Sequence, residues 1–476
     1  MDSLTSTRTE NVSSLQLALF LAGTTFSYFL IISLRDVFFG PMSKFPGPKL
    51  WAFTYVPRLI IQALGTESYA TDKLHKKYGP VVRIGPRELS FANGGQAWRD
   101  IYGHRKKGEP QPSKDKIFYL SPAEKVPSIL SASDADHSRV RRIFSPAFAE
   151  KALKDQEPML QRWAGFLHSK LSDHATGIDK LDMQKIFICA SFDIMGEHRY
   201  EQQATVSMLT FSCLLGELTF SESLNMLHDS KYSSWVDNIF AGVKVATILR
   251  SLRQWRPSTR YLVDEVLAKT EGARKQMREH QEYTNERVNR RLQRTPELPD
   301  LWTRILAKQD SEGGLSMDEQ YSNASLFMMA GADATAMALA STTYYLLRNR
   351  NTLGRLTQEI RKEFSSIDEV TMDRAARLPY LQAALQEAMR IHPPNPISLP
   401  RTVPKGGMVL CDLYVPENVN VAINHYAHSR REEHFKNPKE YHPERWLGAA
   451  EYKDDHLAAS QVCLFDGFAQ SIVFQD

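Results

Sequence analysis

The sequence predicts a mainly α-helical protein with small β-sheets and an N-terminal transmembrane helix. Three observations predict it. Residues 15–34 (LQLALFLAGTTFSYFLIISL) carry no charge, and about 20 apolar residues span a hydrocarbon core. Residues 150–310 read mostly as amphipathic helix with polar breaks, and apolar residues Leu381, Leu385, Ala388 and Ile391 then share one helical stripe. β-Prone residues gather in two short tracts, 78–91 and 409–421, punctuated by Gly and Pro.

The chain has 476 residues, 42% hydrophobic and 24% charged, the balance of a globular protein of one large domain or two to three ordinary ones. A net charge of +4 without a basic stripe or interleaved aromatics excludes a nucleic-acid partner. Cys189, Cys213, Cys411 and Cys463 form no CxxC spacing, which argues against a disulfide framework and for a reducing compartment.

Taken in order, residues 1–14 are a short tail and 15–34 the anchor. Arg35 and Lys44 follow it, so positive charge holds the bulk of the protein in the cytoplasm. A cleaved signal peptide is the rival reading, although no basic n-region precedes the run. Asn11-Val12-Ser13 is a glycosylation sequon set close to the membrane. Residues 35–49 are a Pro-rich hinge, with Phe45-Pro46-Gly47-Pro48 at its end. Tyr78–Phe91 reads as a hairpin.

Asp136–Arg142 opens a helix with His137 and Arg141 on one face. Those two donors suit an anionic group, and a basic surface helix is the alternative. Ala324–Leu347 is a second long run whose only charge is Asp333. It reads as a buried core helix or as a second membrane span. Its centre, Ala330-Gly331-Ala332-Asp333-Ala334-Thr335, sets a carboxylate beside small residues that leave room for a bulky partner.

In Leu381–Arg401, Pro393 and Pro394 end the helix. Glu387 and Arg390, three residues apart on nearly uncharged flanks, predict a buried pair, and such a pair needs a third group to satisfy its spare lone pairs. Arg445, in Pro443-Glu444-Arg445-Trp446, supplies a candidate.

ExxR followed by PERW resembles the cytochrome P-450 superfamily, the haem-thiolate monooxygenases. The resemblance covers roughly residues 15–460 and looks most like membrane-anchored fungal members. It implies a cytochrome P-450-like fold with residues 50–460 as the catalytic domain. Glu387, Arg390 and Arg445 are then the structural triad, and His137, Arg141 and Arg401 hold the haem propionates. Asp333, with Thr335 a weaker candidate, relays protons to dioxygen. The implied reaction inserts one oxygen atom from O2 into a lipophilic small molecule, as in secondary metabolism, with electrons from an NADPH-dependent reductase. The implied location is the endoplasmic reticulum membrane, single-pass, with the catalytic domain on the cytoplasmic side.

The sequence departs from the family pattern in three places. Ala334 follows the acid where the family has threonine, and one step along a helix turns Thr335 by about 100°. Residues 197–216, between two Gly-Glu pairs, look like an insertion or a surface loop. After Ser460 no GxRxC loop appears. Residues 461–476 thus read as an aberrant tail on a C-terminally truncated fold, Cys463 reads as a small apolar residue more than as an iron ligand, and the metal ligand stays unassigned. A truncated or degenerate non-catalytic homologue, and an unrelated two-span membrane protein, are the competing readings.

Overall fold

The computed structural model describes residues 14–455 apart from 104, 106–107, 120–125, 146–153, 155–156, 176–179, 197–225, 230–233, 256–260, 262, 264, 266–270, 294–300, 307–313 and 397. Residues 197–216, expected to be an insertion or a surface loop, the tail at 461–476 and Cys463 all lie outside those residues. Helices dominate, and strands are short.

Helix α1 (Ser14–Phe38) comes first, running four residues past the uncharged stretch so that Arg35 falls in its last turn. At 1.5 Å per residue it is about 37 Å long. It leaves Phe20, Leu21, Tyr28, Ile31 and Leu34 exposed. Next come α2 (Lys49–Phe53), α3 (Val56–Ala63) and α4 (Glu67–Tyr78). The expected hairpin is β1 (Val81–Gly85) and β2 (Glu88–Phe91), antiparallel, followed by α5 (Gly95–Ile101) and β3 (Ser113–Lys114).

The helical half begins with α6 (Asp134–Phe144), α7 (Glu157–Ala175) and α8 (Met183–Gly196). The Asp193 carboxylate accepts from the backbone N–H of Met226 at 2.9 Å and Leu227 at 2.5 Å, tying α8 to the short helix α9 (Met226–Asp229). Helices α10 (Ser234–Trp255), α11 (Glu271–Leu292) and α12 (Leu301–Leu306) lead to the 32-residue α13 (Met317–Arg348).

Helix α13 starts at a reciprocal cap. Ser316 Oγ accepts from Glu319 N–H at 3.3 Å, and Glu319 Oε2 accepts from Ser316 N–H at 2.8 Å. Arg139 of α6 pairs with the same Glu319. Buried Asn323 accepts from the Ile129 N–H at 2.8 Å, which pins the segment before α6 against α13. By length and composition α13 is apolar enough to cross a membrane. It instead packs on α8 as a core helix, with Ala324, Phe327, Met328 and Ala336 buried among Phe144, Phe187 and Phe192.

The last helices are α14 (Arg350–Glu363), α15 (Met372–Ala376) and α16 (Pro379–Ile391). Pro379 opens α16, where its missing N–H costs nothing. Glu359 of α14 caps it by accepting from Tyr380 N–H at 2.9 Å and Leu381 N–H at 3.0 Å. Strands β4 (Arg401–Thr402), β5 (Met408–Leu410), β6 (Leu413–Val415) and β7 (Asn420–Ile423) precede α17 (His425–His428). The main sheet runs β1-β2-β7-β4-β3, with β2 and β7 parallel and the other pairs antiparallel. The β5–β6 hairpin turns at Cys411 and Asp412, both at positive φ, as a two-residue hairpin loop requires. Residues 443–447 and 450–452 close the described chain as 3₁₀ turns packed under α16.

Candidate active site

The centre of the lower half is a carboxylate on α16. Glu387, Arg390 and Arg445 are all fully buried. Arg390 grips Glu387 through Nε and Nη2, both at 2.8 Å, and Arg445 Nε donates to Glu387 Oε1 at 3.2 Å. Two donors missed by sequence reading complete the shell: the His442 N–H at 3.1 Å and Trp446 Nε1 at 2.9 Å. The remaining Arg390 N–H groups, and two more of Arg445, find acceptors too. Arg390 donates to the carbonyls of Ser429 (2.7 Å), Pro438 (2.7 Å) and Glu440 (3.2 Å); Arg445 donates to Lys436 O at 2.9 Å and pairs with Asp455. Burial alone would raise the Glu387 carboxyl, but the charges and hydrogen bonds of Arg390 and Arg445 hold it below the usual carboxylate range. A buried charge so satisfied fixes the path of residues 429–445 beneath α16.

On α13, Asp333 keeps open surface although the surrounding protein desolvates it, and that burial raises its carboxyl above the ordinary range. Thr335 is 4% exposed, so its hydroxyl is turned into the packed side of the helix. The structure therefore separates the two candidates by face. His137 and Arg141 stand half-buried on α6. Arg401 sits on β4, 93% buried by its 7% exposure, with its guanidinium 5.8 Å from the Tyr102 ring and its Nε lacking an acceptor.

An orphaned buried guanidinium N–H is the feature a haem propionate would satisfy. Arg401 thus fits the propionate edge of the expected cofactor. A residue to hold the iron is another matter. Cys189 and Cys411, the free cysteines among the described residues, are buried, and burial pushes both thiols up to about 12, which leaves neither as a thiolate. Among the described residues no cluster of three or more His, Cys, Asp or Glu stands ready for a metal ion.

The profile of the cytochrome P450 family matches residues 46–460. The cytochrome P450 monooxygenase efuB of Hormonema carpetanum is 39% identical over 449 residues, covering 93% of this chain and 84% of that protein. The cytochrome P450 monooxygenase FUM2 of Gibberella moniliformis is 36% identical, covering 90% of this chain and 87% of its own length. The trichothecene C-15 hydroxylase of Fusarium sporotrichioides is 32% identical, covering 92% and 84%. With a family match across most of its length and relatives above 30% identity, the chain belongs to the cytochrome P450 family.

Proposed function

We propose that this chain is a membrane-anchored, haem-dependent monooxygenase that inserts one oxygen atom of O2 into a lipophilic small molecule of secondary metabolism. The family match over residues 46–460 carries this reading, and the hydroxylases and monooxygenases among its fungal relatives support it. Haem iron, when bound, supplies the reductive activation of dioxygen, with electrons passed from an NADPH-dependent reductase. His137, Arg141 and Arg401 hold the propionates. Glu387, Arg390 and Arg445 brace the protein beneath them. Asp333 holds a proton at its carboxyl for delivery to oxygen, a role suited by a raised pKa. Thr335, buried and two residues past Asp333, serves the helix rather than the relay. Helix α1 anchors the chain in the endoplasmic reticulum membrane, leaving the catalytic domain on the cytoplasmic side; its row of exposed apolar side chains supports this.

A second reading has its own observation. Neither described cysteine is a thiolate, and no GxRxC loop precedes Cys463. A non-catalytic homologue is the function those facts favour. A carbon monoxide difference spectrum of the reduced full chain in membranes decides between them. A thiolate-type band supports the monooxygenase and makes Cys463 the iron ligand. Absence of bound haem assigns the chain to the non-catalytic reading.

A further inference from the structure

Three cations gather around residues 113–119 without a carboxylate of their own. Lys114 and Arg401 are partners across β3 and β4. Lys114 Nζ donates to Ile129 O at 3.0 Å and Leu130 O at 2.9 Å, which leaves one of its protons and all of its charge unspent. The Tyr119 N–H donates to Asp115 O at 3.1 Å, closing a turn that brings Phe118 and Tyr119 back over the strand. Lys114 Nζ then lies 6.0 Å from the Tyr119 ring centre, and the Tyr119 and Phe118 rings meet edge to face at 4.9 Å. On the far side, the Arg250 guanidinium of α10 stands 4.4 Å from the Phe118 ring centre.

Asp134 acts on Lys114 and Glu67 on Arg250 through space, but among the described residues no carboxylate hydrogen-bonds to either cation, and the nearest ones bond to other groups. Asp115 accepts from the Ile117 N–H at 2.7 Å and from Asn420 Nδ2 at 2.6 Å. Glu67 accepts from Arg58 at 3.1 Å and Gln62 at 3.1 Å. Burial pushes Lys114 down to about 8, the Arg401 charge adding to the effect, and it pushes the Tyr119 phenol up to about 12, so that the phenol stays an O–H donor. A cationic group with no carboxylate bonded to it is completed by an anion. Arg401, on the sheet side, belongs to the propionate edge. Arg250 stands across the aromatic pair, on the helix that packs against α3. Its face is occupied by Phe118, which leaves its in-plane N–H edges open for a bidentate partner.

We propose that Arg250 receives a carboxylate carried by the substrate, so that the substrate class is an amphipathic lipophilic acid. The proposal rests on the monooxygenase reading for its substrate. A haem propionate offers the same chemistry, and the test separates the two sources.

The probes are octanoate and octan-1-ol, titrated by calorimetry into the full chain expressed with haem supplied, with haem content read from the Soret band of the same samples. Wild type is expected to bind octanoate about tenfold more tightly than octan-1-ol at low salt, a difference of about 1.4 kcal/mol. Arg250→Ala removes that preference while leaving haem content and octan-1-ol affinity unchanged, and Arg250→Lys restores part of it. A wild type without the preference, or an Arg250→Ala protein that keeps it, overturns the proposal. Loss of haem in Arg250→Ala also overturns it, by assigning the residue to the propionate. Haem-free wild type that still prefers octanoate sinks the monooxygenase reading and leaves the anion site standing. Haem-loaded wild type without the preference sinks the anion site alone.

Discussion

Trp446 Nε1 donates to Glu387 Oε2 at 2.9 Å, joining the 3₁₀ turn at 443–447 to the middle of α16 by a charge-assisted bond. With Arg390, Arg445 and the His442 N–H it surrounds the carboxylate on all sides. Removing one partner strands the others. Glu387→Ala is expected to destabilise the fold by about 3–5 kcal/mol, as for breaking a buried ion pair. Trp446→Phe, which removes one hydrogen bond to a charged group, is expected to cost about 1.5–3 kcal/mol. Urea unfolding midpoints of the variants check the order and the sizes.

The cap of α13 offers a milder test. Ser316→Ala loses the bond from Glu319 N–H and frees the reciprocal one, for an expected cost of about 1 kcal/mol. Because Glu319 also pairs with Arg139, Glu319→Ala is expected to cost more than Ser316→Ala in the same unfolding assay.

Much of this was legible in the sequence. Helix α16 announced itself by the Leu381–Ile391 stripe and its stop by Pro393 and Pro394, both local patterns, although the helix opens two residues earlier, at Pro379. The β1–β2 hairpin was legible from alternation and the Gly85-Pro86 turn. The Ser316-Met317-Asp318-Glu319 cap was equally local, and that S-x-x-E signal marks where α13 starts, seven residues before the apolar run. What stayed hidden was long-range. Nothing near Lys114 in sequence points to Arg401, nor near Phe118 to Arg250, because those neighbours are set by strand pairing and helix packing. The different faces of Asp333 and Thr335 followed from helical rotation, but which face is open needed the packing of α13.

Acid is expected to destabilise the protein through its buried histidines, His75 and His425 above all. Burial depresses His75 and His425 to about 4. The unfolded chain takes up a proton at each as pH falls below about 6.5, whereas the folded one does not until about 4. Stability is therefore full above pH 6.5 and declines between 6.5 and 4, by about 1.4 kcal/mol per pH unit for each histidine. Unfolding midpoints across that window measure the slope, and His425→Phe is expected to reduce it.

Asp333 and its neighbour separate proton delivery from folding. In the reconstituted, haem-loaded chain, Asp333→Asn is expected to lower product formation by about 10²-fold, the lower end of what a positioned proton donor contributes. Thr335→Ala is expected to change it little, and Ala334→Thr to raise the ratio of product to NADPH consumed. Product and NADPH measured together check all three.

Membrane attachment is tested by removing residues 1–38. The full chain is expected to stay with the membrane pellet after alkaline carbonate extraction, and the shortened chain to leave it. Retention of the shortened chain under those conditions would transfer the anchoring role away from α1.

Strand β2 lies between β1 and β7, and its parallel partner Ala422 faces Ser90 from the far end of the chain. On the ribosome, β2 therefore waits with an open hydrogen-bonding edge while roughly 330 further residues are made, about 15–65 s at ordinary elongation rates. The hairpin must be sheltered for that whole interval, because an unpaired strand edge invites pairing with another chain. Synonymous codons that slow the long helical middle lengthen the exposure without altering one residue. For this protein the yield of folded enzyme is thus written partly in the tempo of translation.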